Sequence, residues 1–256
     1  MITNQQLVIN NLEEKLKQFT QAVNGECIKF DDFTLSNTKI STDTFNILLP
    51  KSPNIRSRVE FTQGINSLLL KEFKFSTWID SQFLNKDWGK ITKEYKLNEV
   101  EVNVMMKLEN ILNVSQRNSQ QLMINLVKNN EELMKYKEVF ISLFEGTPEK
   151  DALESYFNKF SQVQIGAEVQ MFVGYINENM PVTTGLLIES KDSYGIYDVM
   201  TKEAFRGKGY GSEMFQFLLN QTKDKEKPVV LQASEDGINI YKRFGFIDVG
   251  EMVVFE

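Results

Sequence analysis

Residues 195–201, Gly-Ile-Tyr-Asp-Val-Met-Thr, and the turn Arg206-Gly207-Lys208-Gly209-Tyr210-Gly211-Ser212 that comes after them decide the reading of this chain. The first run reads as a strand, 205–211 as a glycine-rich turn and 212–222 as a helix. Alternate glycines between strand and helix let the backbone bend so that several N–H groups point into one concave space. Free amides and the helix dipole then favour an anion. Arg206 and Lys208 add positive charge at the rim, so a diphosphate suits the turn better than a carboxylate. Ser212 stands where a dinucleotide-binding turn needs its third glycine, and the Gly-Lys-Ser/Thr ending of a nucleotide P-loop is missing. The competing reading is a tight strand-to-helix connection with basic neighbours and no ligand.

Working outward, 168–176, 183–190 and 195–201 are three extended stretches separated by turn-type residues, which predicts an antiparallel meander. Thr147 before Pro148 predicts a capped helix start running to about residue 160, after a helical region carrying Leu133, Tyr136, Phe140 and Leu143 and a short extended run at Ile111 and Val114. Downstream come a strand at 229–233, a helix at 234–244 ended by a left-handed Gly245, and a strand at 246–255. Earlier, Ile9, Leu12, Leu16 and Phe19 mark a surface helix with one buried stripe. Strands at 45–49, 75–79 and 100–106 then alternate with helices at 56–73 and 87–95. Residues 45–106 and 195–255 thus run in the same order, strand, helix, strand, helix, strand, as a duplicated unit would. The early copy has Pro53-Asn54-Ile55-Arg56-Ser57-Arg58 at the first strand–helix junction and no glycine there, which predicts a half that kept the scaffold and lost the chemistry. The aromatic cluster of Phe75, Trp78, Phe83 and Trp88 in that half reads as core.

The chain has 256 residues, 41% hydrophobic and 25% charged, with a net charge of −6. That is enough apolar material for a globular protein of two units. The absence of histidine removes the usual general base, Ser/His and Cys/His nucleophile pairs and His-containing zinc sites. The single Cys27 is expected to be buried and forms no internal disulfide, which fits a reducing cytoplasm. No segment reads as a signal peptide or a membrane span, and the acidic balance argues against nucleic acid.

Arg206-x-x-Gly209-x-Gly211 after the strand, followed by Leu231-Gln-Ala-Ser234 and Tyr241-Lys-Arg-Phe244-Gly245-Phe246, resembles the GCN5-related N-acetyltransferase (GNAT) family over the last ~90 residues. The resemblance implies a mixed α/β fold, a central mixed sheet flanked by helices, preceded by a degenerate half-copy of the same fold: 1–109 degenerate, 110–256 the acetyl-CoA-dependent domain. It implies that Arg206, Gly207, Lys208, Gly209, Tyr210, Gly211 and Ser212 cradle the pyrophosphate of acetyl-CoA. By the same resemblance Val199, Met200 and Thr201 pair with its pantetheine arm, and Tyr241 donates a proton or hydrogen bond to the departing thiolate. Lys202 and Lys208 are candidates for the adenosine phosphates. Many members carry Asn where this chain has Ser234, which either binds the coenzyme's arm or caps the helix.

Amide synthesis from a thioester needs neither metal nor histidine, and an unpaired amide at Val199 or Met200 suits the developing oxyanion. Tyr241 has a second reading as a core aromatic. Asp198, Glu189 and Glu168 all stand as possible bases, Asp198 first, although alternation along the strand leaves open which face it takes. The expected function is transfer of acetyl to a primary amine, small molecule or peptide, by direct attack in a ternary complex. No metal, nucleic acid or membrane partner is expected. A non-catalytic acyl-CoA sensor is the alternative, and the oligomeric state, a homodimer included, stays open.

Overall fold

Two parallel strand pairs, one early in the chain and one late, are each bridged by a helix, and everything else is arranged around them. The computed structural model describes residues 2–109, 121–160, 167–177, 179–223, 226–235 and 237–256, so the run expected at Ile111 and Val114 lies outside the described residues. The first part of the chain runs α1 (Asn4–Gln21), β1 (Glu26–Lys29), β2 (Phe33–Asn37), β3 (Ile47–Pro50), α2 (Arg58–Leu69), β4 (Ser76–Asp80), α3 (Asp87–Glu94) and β5 (Glu99–Leu108). The second part runs β6 (Met123–Leu126), α4 (Asn130–Ile141), α5 (Lys150–Phe160), β7 (Val169–Ile176), β8 (Met180–Glu189), β9 (Tyr194–Tyr197), α6 (Tyr210–Gln221), β10 (Val229–Ala233), α7 (Ile238–Arg243) and β11 (Ile247–Phe255). The expected meander is present as β7, β8 and β9, antiparallel neighbours.

All eleven strands form one mixed sheet in the order β1-β2-β3-β4-β11-β5-β10-β9-β8-β7-β6. β3–α2–β4 and β9–α6–β10 are the two parallel crossover units. The strand that closes each unit crosses over: β5 pairs antiparallel with β10, and β11 with β4. β5 and β11 lie side by side at the centre of the sheet. The duplicated order legible in the sequence is therefore laid out as a reciprocal exchange of terminal strands.

Side chains alternate across each strand, so neighbouring residues feed opposite faces. Met105, Val230 and Met252 pack with α1, α4 and α5 on one face. On the other, Met106 and Leu231 pack under α6, and Val253 joins the cluster under α2 and α3. Trp88 is fully buried there against Phe33 and Phe61, in keeping with a core role. β5 departs from the expected half-buried pattern. Its start is open, with Val100 and Val102 exposed, whereas Met105 and Met106 are buried on opposite faces, Met105 in the cluster with α1, α4 and α5 and Met106 in the cluster with α6.

α1 is more than a surface helix. Thr3 caps it by accepting from the Gln6 amide at 3.1 Å, and its apolar stripe seals the sheet centre, touching strands of both parts of the chain. Its Asn11, fully buried, donates to Ser193 O and Ser193 Oγ at 3.1 Å each. Three other expectations need correction. α5 opens at Lys150, and the Thr147 hydroxyl donates back to Phe144 O instead of capping. Cys27 is only partly buried on β1, although burial still pushes its thiol up to about 11. β1, β2 and β6 have no counterpart among the expected strands; at four or five residues each they are too short for a period to show.

Candidate functional site

α6 begins without a side-chain cap. Its N-cap is Gly209 in a left-handed conformation, φ 90°, two residues after Gly207 at φ 75°. A Cβ at either glycine would meet nothing within 4 Å, so it is the backbone angle, not crowding, that demands glycine. In consequence the amides of Gly207, Lys208, Gly209, Tyr210, Gly211 and Ser212 make no hydrogen bond among the described residues; the first helical bond is Glu213 N to Gly209 O at 3.0 Å. Six consecutive free donors at the positive end of a twelve-residue helix form an anion seat.

The strand feeding this turn parts from its neighbour. β9 pairs with β10 only through Tyr194–Val229 and Gly195–Val230, while the rest of β10 stays with β5. Beyond Tyr197 the chain is held to β8 instead. Thr184 N donates to Met200 O at 2.9 Å, Lys202 N to Val182 O at 3.0 Å, and Thr183 Oγ1 to Met200 O at 2.7 Å. A wedge opens between 198–201 and 231–234. Met200 N turns back to Asp198 O at 2.9 Å, so of the two amides considered for an oxyanion, Val199 N is the unengaged one.

Wedge and turn together form a cleft of about 580 Å³. Val199, Met200, Thr201, Arg206, Gly207, Gly209, Tyr210, Gly211, Ser212, Ser234 and Tyr241 all line it. Lys208 does not; its ammonium lies 5.1 Å from the centre of the Phe205 ring. Lys202, considered for adenosine phosphates, pairs with Glu138 at 2.7 Å. The Ser234 hydroxyl makes no hydrogen bond among the described residues, and α7 starts only at Ile238 behind Gly237, so Ser234 does not cap that helix.

Tyr241 is both a core aromatic and part of the cleft wall. Its ring packs 4.7 Å from Phe215 and joins the core, yet it also borders the cleft. Gly237, one turn earlier, makes room for it, since a Cβ there would crowd the ring. Burial pushes the Tyr241 phenol up, so it stays protonated at neutral pH and is available as a donor.

Asp198 is not in the cleft lining. Its φ of 51° breaks the alternation on which its expected facing depends, and its carboxylate accepts from Lys15 Nζ at 2.9 Å and Tyr136 OH at 3.0 Å. Glu189 is tied to Lys227 at 2.8 Å and Glu168 is also absent from the lining, which contains no carboxylate among the described residues. Sequence reasoning missed Leu143, Phe205, Phe215, Gly237, Ile240 and Arg243, which complete the walls. The one available signal was the i−4 spacing of Gly237 from Tyr241.

The matching junction in the early copy, 51–57 between β3 and α2, has no such seat. The Asp32 carboxylate, 4% exposed as a residue, accepts from Arg56 N at 2.6 Å, and Asp87 Oδ2 accepts from Ile55 N at 3.2 Å. Carboxylates occupy the amides and make the junction unfit for phosphate.

Residues 167–248 match the family model described as an acetyltransferase (GNAT) domain. No curated protein sequence matches the chain. Solved structures share its architecture over nearly the whole length. A GCN5-related N-acetyltransferase from Kribbella flavida aligns with a TM-score of 0.64 at 12% identity, covering 95% of this chain and 94% of that one. A functionally unknown conserved protein from Staphylococcus epidermidis gives 0.61 at 17%, covering 91% and 94%. A tandem GNAT protein from the clavulanic acid biosynthesis pathway gives 0.57 at 10%, covering 88% and 78%. At these identities the likeness is one of fold, and that fold is GNAT-like, with a mixed sheet flanked by helices.

Proposed function

We propose that this chain, whose residues 167–248 form a GNAT acetyltransferase domain, transfers acetyl from acetyl-CoA to a primary amine by direct attack in a ternary complex. The observation that carries the reading is the run of six unengaged amides from Gly207 to Ser212 at the start of α6. The donor fits the residues present: a diphosphate suits that seat, Arg206 stands at its rim with its Nε donating to Thr201 O at 3.2 Å, and the open wedge accepts an extended arm. Acetyl-CoA supplies an activated thioester when bound. The protein's part is to hold it through the amides of the turn and through 199–201, to offer Val199 N to the growing negative charge on the carbonyl oxygen, and to present the Tyr241 hydroxyl as hydrogen-bond donor to the leaving sulfur. We assign 110–256 as the catalytic part and 1–109 as its degenerate counterpart, acting in the cytoplasm.

With no carboxylate in the described lining, the acceptor is used as its free amine, and the pH dependence of the rate follows the acceptor's own pKa. The test is calorimetric titration with acetyl-CoA, followed by thiol release with a panel of primary amines. Saturable binding with turnover of at least one amine supports the reading. Binding without turnover of any would favour a sensor, and no binding would remove the reading altogether.

A further inference from the structure

We propose that α1 holds the wedge in shape, with Lys15 acting through Asp198, and Asn11 acting through Tyr197, as positioning residues that aim the Val199 amide into the cleft. The proposal rests on the acetyl-CoA reading above. β9 is four residues long and pairs with β10 at only two of them, and its ladder with β8 breaks off after the Leu186–Tyr197 pair, the next bridge being Thr183–Thr201, so Asp198 lies in a gap of both ladders. The residue directly after β9, Asp198, has a left-handed backbone, φ 51°, a conformation that disfavours a residue with a Cβ and persists where the surroundings offset its cost.

The surroundings do. Lys15 Nζ donates to Oδ1 at 2.9 Å and Tyr136 OH to Oδ2 at 3.0 Å, with the Lys15 and Asp198 side chains only 16% and 7% exposed. The Asp198 carbonyl accepts from Thr184 Oγ1 at 2.8 Å and from Met200 N at 2.9 Å. That last bond folds the Met200 amide back and leaves the amide of Val199, a residue of the cleft lining, unengaged among the described residues. A partly buried ion pair of this kind is worth more than an exposed one, because little water competes for it.

The same helix grips the other end of the strand. Lys15 and Asn11 lie one turn apart on α1. Asn11 donates to Ser193 just before β9 and accepts from Tyr197 OH at 2.9 Å, and the Lys15 ammonium sits 4.6 Å from the centre of the Tyr197 ring. Gly195 allows this approach, since a Cβ there would overlap the Asn11 side chain. A helix 183 residues away in sequence thus determines the course of the segment that lines the cleft.

The experiment compares wild type, Lys15→Met, Lys15→Arg and Tyr136→Phe by calorimetric titration with acetyl-CoA and, separately, with ADP, which carries the diphosphate but no pantetheine arm. Unfolding midpoints are read without ligand. Lys15→Met is expected to raise the acetyl-CoA Kd about tenfold, as loss of one charge-assisted bond would, with the ADP Kd unchanged. Lys15→Arg should recover most of the loss. Tyr136→Phe, which removes a bond to Asp198 without unpairing the buried charge, should weaken acetyl-CoA about threefold and serves if Lys15→Met does not fold. Unchanged acetyl-CoA binding in these variants overturns the proposal, as does equal weakening of both ligands, which would mark a general loss of structure. Failure of wild type to bind acetyl-CoA would instead overturn the functional reading on which the proposal stands.

Discussion

Glycine at 209 has a Cβ position facing open space but a φ of 90°, so the cost of replacing it is conformational. Gly209→Val should raise the acetyl-CoA Kd by roughly 10- to 100-fold, since a β-branched residue in that region is strained by about 1–3 kcal/mol, and relief of that strain turns amides out of the seat. Calorimetric titration reads it directly; binding at wild-type strength would rule out the anion seat. Tyr241→Phe is expected to lower kcat about 100-fold with little change in KM, the size of a lost proton or hydrogen-bond donor. Because burial raises the phenol above its ordinary 10.0, the wild-type rate should show no decline from Tyr241 deprotonation anywhere between pH 6 and about 9, as a pH–rate profile would record. The glycines were legible in the sequence because positive φ and a strand–turn–helix context restrict residue type strongly, whereas Tyr241 was reached only through the family resemblance of the segment around it. Asp198 was not legible, since its expected facing rests on a two-residue period that the residue itself breaks.

Among the elements, α5 shows how the two parts of the chain meet. Glu149, 7% exposed, enters the Thr42–Thr44 loop, where its Oε1 accepts from the Thr42 hydroxyl and from Thr44 Oγ1 at 3.0 Å, while its Oε2 is buried without a partner among the described residues. Desolvation, with Asp43 nearby, raises its carboxyl above the ordinary 4.5. The folded state then holds this proton more tightly than the unfolded chain, so stability falls as pH rises from about 4.5 through the raised value. Glu149→Gln keeps the Oε1 acceptor and removes the buried charge. It should flatten that decline, measured as urea midpoints across pH 4–8, whereas the wild type should lose stability as the pH rises. The stripe of α1 was readable from spacing alone, yet its partners were not: Asn11 and Lys15 look like surface residues until strands about 180 positions later are brought to them.

For the molecule as a whole, the exchange of β5 and β11 means that neither crossover unit closes its sheet with its own last strand. Unfolding should be a single transition. Trp78 and Trp88 both belong to the first part of the chain, far in sequence from the anion seat, so their fluorescence provides a test. Acetyl-CoA at 100 times its Kd should shift the tryptophan-detected unfolding free energy by about 2.7 kcal/mol. A tryptophan transition that ignores the ligand would show the two parts melting separately. The placement of α1 also governs how the protein is made. Its apolar stripe, Val8, Leu12, Leu16 and Phe19, leaves the ribosome well ahead of the residues it clamps at 188–198, which lie about 180 positions later in the sequence. At about 5–20 residues per second the stripe waits roughly ten to forty seconds for its seat. During translation this segment is a client for chaperones, and slowing synthesis downstream of it should lower the soluble yield more than the finished protein's stability would suggest.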